Sequence, residues 1–239
     1  MVWRGDLWEH PQEEKAMAEF RPTYITFDCY GTLIHFQMSD LTRALFTDRL
    51  PSDRLEAFTT DFSAYRFDEV LGPWQPYADV IKQALRRCCH RWGLPSREAD
   101  AQHLYDAIPT WGPHPDVPAA LARVARAFPL VILSNASDRQ IPRNVEQLGA
   151  PFHAVYTAEQ ARAYKPRLRA FEYMIERLGC DPAGLLHVSS SLRYDHMSAY
   201  DVGIRHTVYI DRGHGPSTDY YGYPTLQDLS GLPALVGLT

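Results

Sequence analysis

The chain has 239 residues, 45% of them hydrophobic and 12% aromatic, with a formal net charge of -5. That is enough to bury a sizeable core and to hold one domain with a substantial insertion. Dispersed Lys and Arg argue against a nucleic-acid footprint or a polybasic membrane patch, and no apolar run approaches the roughly 20 residues of a membrane helix.

Residues 1–20 are acidic, are broken by Pro11, and lack the basic start and apolar core of a signal peptide, so a peripheral extension is expected. The β-branched and aromatic run Tyr24-Ile25-Thr26-Phe27 then leads into Asp28-Cys29-Tyr30-Gly31-Thr32-Leu33. It reads as a buried parallel strand that delivers a carboxylate at its C-terminal tip, where open α/β sheets place their ligands. From 40 to 107 apolar residues recur with helical spacing: Leu41, Leu45 and Phe46, then Leu55, Phe58 and Phe62, then Val80, Ile81, Ala84 and Leu85. Pro109, Pro113, Pro115 and Pro118 bracket the return to the core, with a helix start at Asp116-Val117-Pro118.

Beyond residue 128 strands and helices alternate. Strands are expected at 130–133, 154–156, 185–188 and 207–210, and helices near 138–148, 167–178 and 194–201. The fold class is therefore α/β: a Rossmann-like, doubly wound parallel sheet with a helical cap inserted after the first strand. The expected division is 21–38 and 113–239 for the core and 39–112 for the cap.

Four short motifs carry the chemistry. Asp28 is a candidate nucleophile. Leu133-Ser134-Asn135-Ala136 offers a hydroxyl and an amide to a carboxylate or leaving anion, although alone it reads equally as an Asx or Ser turn. Tyr164-Lys165-Pro166 offers a cation, and Val188-Ser189-Ser190-Ser191-Leu192-Arg193-Tyr194-Asp195 a second carboxylate. The four cysteines, Cys29, Cys88, Cys89 and Cys180, lack metal-ligand spacing and fit a reducing cytoplasm. The ten histidines show no paired ligand spacing on one face. His187 falls in a strand and reads as a hydrogen-bonded core residue; His35 is close enough to touch the pocket rim. Trp74, Tyr77 and Trp111 read as core or cap packing, and Tyr220, Tyr221 and Tyr223 as a C-terminal loop or contact surface.

Together these motifs resemble those of the haloacid dehalogenase superfamily. Phosphatases of that superfamily carry a second Asp where Tyr30 stands and a Gly-Asp where Ser190 stands, and those acids help hold magnesium. A phenol and a hydroxyl are poor substitutes for carboxylates around a hard cation, so no metal and no cofactor is expected. Tyr30 and Ser190 in these places resemble the L-2-haloacid dehalogenase branch. The resemblance implies hydrolytic conversion of small 2-haloalkanoates, with fluoroacetate conceivable, to 2-hydroxy acids through an aspartyl ester. It implies Asp28 as nucleophile, Lys165 as its counter-charge, Asp195 acting on the hydrolytic water, and Ser190 placing Lys165 or that water. Ser134, Asn135 and the N–H groups of Cys29 and Tyr30 would bind the substrate carboxylate, Thr32 would brace the Asp28 loop, and Tyr194 would wall the pocket with Tyr30. The branch also takes an Arg from its cap, for which Arg66 is the candidate by spacing; a surface ion pair with Asp68 or Glu69 is the alternative. Departures are Leu192 where the branch has Asn, and Tyr194 where it has Trp. Competing functions are a metal-free hydrolase acting on another electrophilic carbon, a non-catalytic binding protein and a magnesium phosphatase. The expected partner is the small 2-haloalkanoate, with no nucleic acid and no membrane, and the apolar cap is compatible with a homodimer.

Overall fold

The computed structural model describes residues 20–213 and 215–238. The expected N-terminal extension lies outside them except for Phe20, whose ring stacks on His206 at 3.6 Å. Six strands, Tyr24–Phe27 (β1), Leu130–Ser134 (β2), Ala154–Thr157 (β3), Leu185–Ser189 (β4), His206–Ile210 (β5) and Thr225–Leu226 (β6), form one sheet. Their order is β3-β2-β1-β4-β5-β6, and every pairing is parallel. Strands β2 and β4 are buried along their whole length, which is why neither alternates between apolar and polar residues; β2 is apolar up to Ser134, and β4 is apolar but for His187 and Ser189.

Helices cover both faces. Ile25, Phe27, Ile132, Leu186 and Val188 pack with Val117, Leu121 and Val124 of the helix Val117–Val124, whereas Val131, Leu133 and Leu185 pack with Phe171 and Met174 of the helix Leu168–Leu178. Alternation along each strand thus assigns one residue set to each face. The chain leaves β1 toward β2 and later returns to the other side of β1 through β4. The C-terminal ends of β1 and β4 therefore flank the switch point where ligands of such sheets bind.

Between β1 and β2 the chain is helical: Met38–Phe46 (α1), Leu55–Leu71 (α2), Tyr77–Arg91 (α3) and Glu98–Ala107 (α4). Phe46, Phe58, Phe62, Ile81, Leu85, Cys88 and Leu104 bury the inner faces of these helices. The remaining helices are Val117–Val124 (α5), Ile141–Glu146 (α6), Ala158–Ala161 (α7), Leu168–Leu178 (α8), Met197–Asp201 (α9) and Leu232–Leu235 (α10).

Three local expectations need correction. The helix expected over 138–148 is α6 alone, because Pro142 sits in its first turn and the Asp138 carboxylate is taken by Thr157 and Gln160 of the next segment. The helix expected over 194–201 opens with a π-helical turn, Leu192–His196, in which the Ser191 carbonyl accepts from both Asp195 and His196, and only then becomes α9. Tyr223 belongs to no surface cluster: it is buried and packs on His196 and Tyr209, although Tyr220 is exposed.

Candidate active site

The nucleophile candidate sits on a turn built to present it. Asp28 follows β1 and donates its N–H to the Val188 carbonyl on β4 (3.1 Å). The Cys29 carbonyl accepts from Leu33 and Ile34, and the Gly31 N–H donates to the Ile34 carbonyl. Gly31 has a φ of 98°, a conformation that favours glycine. The turn thus closes through Gly31, Leu33 and Ile34 and not through the N–H groups of Cys29 and Tyr30. Thr32 bends back so that its Oγ1 donates to Asp28 Oδ2 (2.7 Å), and it accepts the Ser190 N–H (2.9 Å). Arg212, just beyond β5, fastens the turn from outside by donating to the Thr32 carbonyl (3.1 Å) and to both oxygens of Asp116.

Lys165 is the hub. Its Nζ, 1% exposed, donates to Asp28 Oδ1 (2.8 Å) and to Asp195 Oδ1 (2.6 Å). Its backbone is clamped at both ends by the Asn135 amide, which donates to the Lys165 carbonyl (2.9 Å) and accepts its N–H (2.7 Å). Asn135 therefore lines the pocket but has its amide hydrogen bonds directed at Lys165, whereas Ser134 at the end of β2 has a buried hydroxyl with no partner among the described residues. Ser190 pairs with Thr32 Oγ1 (3.1 Å) rather than with Lys165.

Asp195 is fully buried and held twice on the same oxygen, by Lys165 and by His187 Nε2 (3.0 Å); its Oδ2 has no partner among the described residues. Burial and the Asp195 charge push the Asp28 carboxyl above its usual range, against the opposing pull of Lys165. Asp195 is buried too, but Lys165 and the His187 hydrogen bond outweigh that and hold it well below the usual carboxylate range. Burial and the nearby Asp28 charge raise the Cys29 thiol, so it does not compete as a thiolate.

The pocket above these groups has a volume of about 450 Å³ and is walled by Tyr30, Phe36, Phe67, Val70, Tyr77, Trp111, Leu192 and Tyr194. Tyr30 donates its hydroxyl to Asn144 Oδ1 (2.8 Å), and burial raises the phenol. Burial pushes the Tyr194 phenol up to about 12. His35 lies on the rim. Arg66 is 6% exposed, lies over the faces of Phe36 and Phe62 at 5.3 and 5.2 Å, and reaches Ser63; its Nε has no partner among the described residues. The surface ion pair considered for it belongs to Arg87, which takes Asp68 and Glu69.

A hard divalent cation does not suit this donor set. The Tyr30 and Ser190 hydroxyls are engaged with Asn144 and Thr32, and an ammonium occupies the space between the two carboxylates. Among the described residues no three His, Cys, Asp or Glu side chains gather as a metal site.

A family model described as a haloacid dehalogenase-like hydrolase matches residues 23–203. The chain belongs to this family. An (S)-2-haloacid dehalogenase of Pseudomonas putida is 30% identical over 175 residues, covering 70% of this chain and 76% of the relative. Another (S)-2-haloacid dehalogenase, from Xanthobacter autotrophicus, is 28% identical over 186 residues, 75% of this chain and 69% of the relative. In fold, this haloacid dehalogenase-like hydrolase is similar to the L-2-haloacid dehalogenase of Xanthobacter autotrophicus with covalently bound chloropropionic acid. The TM-score is 0.74 at 23% identity, over 92% of this chain and 100% of that one.

Sequence reasoning missed one support of the site, Arg212, and found another in part, expecting His187 as a hydrogen-bonded core residue without its partners Thr26 and Asp195. Arg212 carries no motif and meets Thr32 across 180 positions of chain. The Thr26 and His187 pair, by contrast, left a signal: two polar residues facing the same way inside otherwise apolar strands. Among the described residues no helix is long and apolar enough to cross a membrane.

Proposed function

We propose that this hydrolase cleaves the carbon–halogen bond of 2-haloalkanoates and releases the 2-hydroxy acid through an ester on Asp28. The observation that carries the reading is one buried ammonium shared by two carboxylates, one of them at the tip of β1, with a phenol and a hydroxyl where a metal-dependent phosphatase needs acids. Its relatives named (S)-2-haloacid dehalogenases support the substrate class.

In the first half, a free lone pair of the Asp28 carboxylate attacks the carbon bearing the halogen from the side opposite it. The C–O bond forms, the C–X bond breaks with its electron pair leaving on the halide, and a chiral carbon inverts. Halide needs no proton, so Tyr30 need not be acidic. Arg66, the Ser134 hydroxyl and the Trp111 indole N–H are unpaired donors among the described wall residues, and the first two serve the substrate carboxylate and the departing halide. Fluoroacetate is within reach to the extent that Arg66 solvates fluoride.

In the second half, water adds to Cγ of the Asp28 ester while Asp195 Oδ2 accepts one of its protons. The Cγ–O bond to the substrate then breaks, and the released alkoxide takes the proton from Asp195. The remaining proton of the water goes to solvent as Asp28 returns to its carboxylate. The sum is haloacid plus water giving hydroxy acid, halide and one proton.

The test is halide release from chloro-, bromo- and fluoroacetate and both enantiomers of 2-chloropropionate, with excess chelator, for the wild type and Asp28→Asn. Chelator-resistant turnover lost by about 10⁴-fold or more in the variant is the expected result. Chelator-sensitive release of phosphate from phosphate esters, with no halide from any haloacid, would falsify the reading. In single turnover in ¹⁸O-water the label is expected first in Asp28 rather than in the product.

A further inference from the structure

We propose that His187 is a positioning residue for the ester-hydrolysis half of the reaction, fixing Asp195 through one oxygen so that the other stays free for the attacking water. The inference rests on the reaction assigned above. Thr26 on β1 and His187 on β4 are register partners in the sheet, both fully buried. The chain of contacts runs Thr26 Oγ1 to His187 Nδ1 (2.8 Å) and His187 Nε2 to Asp195 Oδ1 (3.0 Å).

Ionised Asp195 only accepts, so Nε2 carries the hydrogen. At the other end, a bare Nδ1 accepts from the Thr26 hydroxyl, and an Nδ1–H donates to Thr26 Oγ1 while that hydroxyl turns to the Leu186 carbonyl at 3.3 Å. Either way the Thr26 contact fixes the orientation of the ring with Nε2–H aimed at Asp195.

The bond matters most after the first half of the reaction. Resting Lys165 sits between Asp28 and Asp195. Once Asp28 is an ester it carries no charge, and Lys165 loses the anion that held it on that side. The His187 bond is independent of that charge and keeps Asp195 in place while Lys165 readjusts. Charged or titratable groups around Asp195 are Lys165, Asp28, His187 and His196; burial lowers His196 to about 4, so it is neutral at working pH.

The experiment separates the two halves in single turnover with 2-chloropropionate, reading halide release for alkylation and intact-protein mass for the ester. For His187→Phe, the halide burst is expected to keep the wild-type rate and stoichiometry. Ester hydrolysis is expected to slow by roughly ten- to a hundredfold, the range produced by losing a hydrogen bond to a charged group. Because Asp195 loses a donor, the acid limb of the hydrolysis step moves to higher pH. His187→Gln, which restores an N–H donor at a similar reach, is expected to recover hydrolysis to within about threefold of wild type. Thr26→Val, which removes only the hydroxyl that orients the ring, slows hydrolysis in the same direction and decides the matter if His187→Phe does not fold. Unchanged hydrolysis in His187→Phe or Thr26→Val, or a proportional loss of both halves with Gln no better than Phe, overturns the inference. A wild type that releases no halide at all overturns the assigned reaction instead.

Discussion

Asp28 and Asp195 share the Lys165 ammonium, but their surroundings treat them unequally, and this sets the pH behaviour. The Asp28 carboxyl lies above the ordinary 3.8 because burial and the Asp195 charge disfavour its anion. On acidification it therefore takes up a proton before a free aspartate would, whereas Asp195 remains ionised. The acid limb of kcat/KM is accordingly expected above 3.8, as the loss of one proton-sensitive nucleophile, and a pH profile in single turnover reads it. The linkage to stability has opposite signs at the two residues. The contribution of Asp28 is fully present below 3.8 and is lost as pH rises through its raised folded value. That of Asp195 is present above 3.8 and is lost as pH falls through its depressed one. Comparing the pH dependence of unfolding of the wild type and Asp28→Asn separates the two: the variant is expected to lose the Asp28 dependence and to keep that of Asp195. An unchanged profile in the variant would contradict it.

At the scale of elements, the Asp28 turn is held by partners from two parts of the chain: Val188 and Ser190 at the end of β4, and Arg212 after β5. Arg212 joins the Thr32 carbonyl to Asp116 at the head of α5, and Asp116 also accepts the Leu229 N–H. Burial raises Asp116, but the Arg212 and Leu229 hydrogen bonds outweigh it and lower the carboxyl overall. Arg212→Met leaves that carboxylate without its cation and is expected to destabilise the fold by about 2 kcal/mol, with a fall in kcat as the turn loosens. Denaturant unfolding and steady-state kinetics read the two effects. The same element shows what was legible in the sequence. The strand, its terminal Asp28, Gly31 and Thr32 announce themselves because a tight turn makes local demands on residue type. Lys165 and Asp195 were legible from motif composition. Their shared bond, the clamp of Asn135 on Lys165 and the reach of Arg212 were not, because each joins segments 30 or more positions apart and depends on strand order. The π-helical turn escaped as well, since one extra residue in a turn leaves no periodic trace.

For the whole molecule, the cavity between the C-terminal ends of the strands and the inserted helices holds about 450 Å³, the volume of about fifteen water molecules in the liquid. A two- or three-carbon haloacid fills about a third of it at most. Since Phe67, Val70, Trp111 and Leu192 line it, each added methylene is expected to bury against apolar wall and contribute up to about 0.8 kcal/mol. KM is therefore expected to fall by about threefold per carbon from 2-chloropropionate through 2-chlorohexanoate, with kcat held within a similar factor. A rise in KM along that series would show that the cap closes the space before chemistry. The loop bearing Lys165 is tied to the connection between α2 and α3: Tyr164 donates to the Gln75 carbonyl (2.7 Å), Arg167 to the Gly72 carbonyl (2.8 Å), and Arg162 lies over Trp74 at 3.5 Å. Traffic past that edge would have to unfasten the segment that holds the Lys165 ammonium. The exposed members of the lining are instead His35, Asp40, Ser63, Arg193, Gly215 and Pro216. Through that exposed rim, substrate is expected to enter and halide to leave without the protein letting go of its own buried cation.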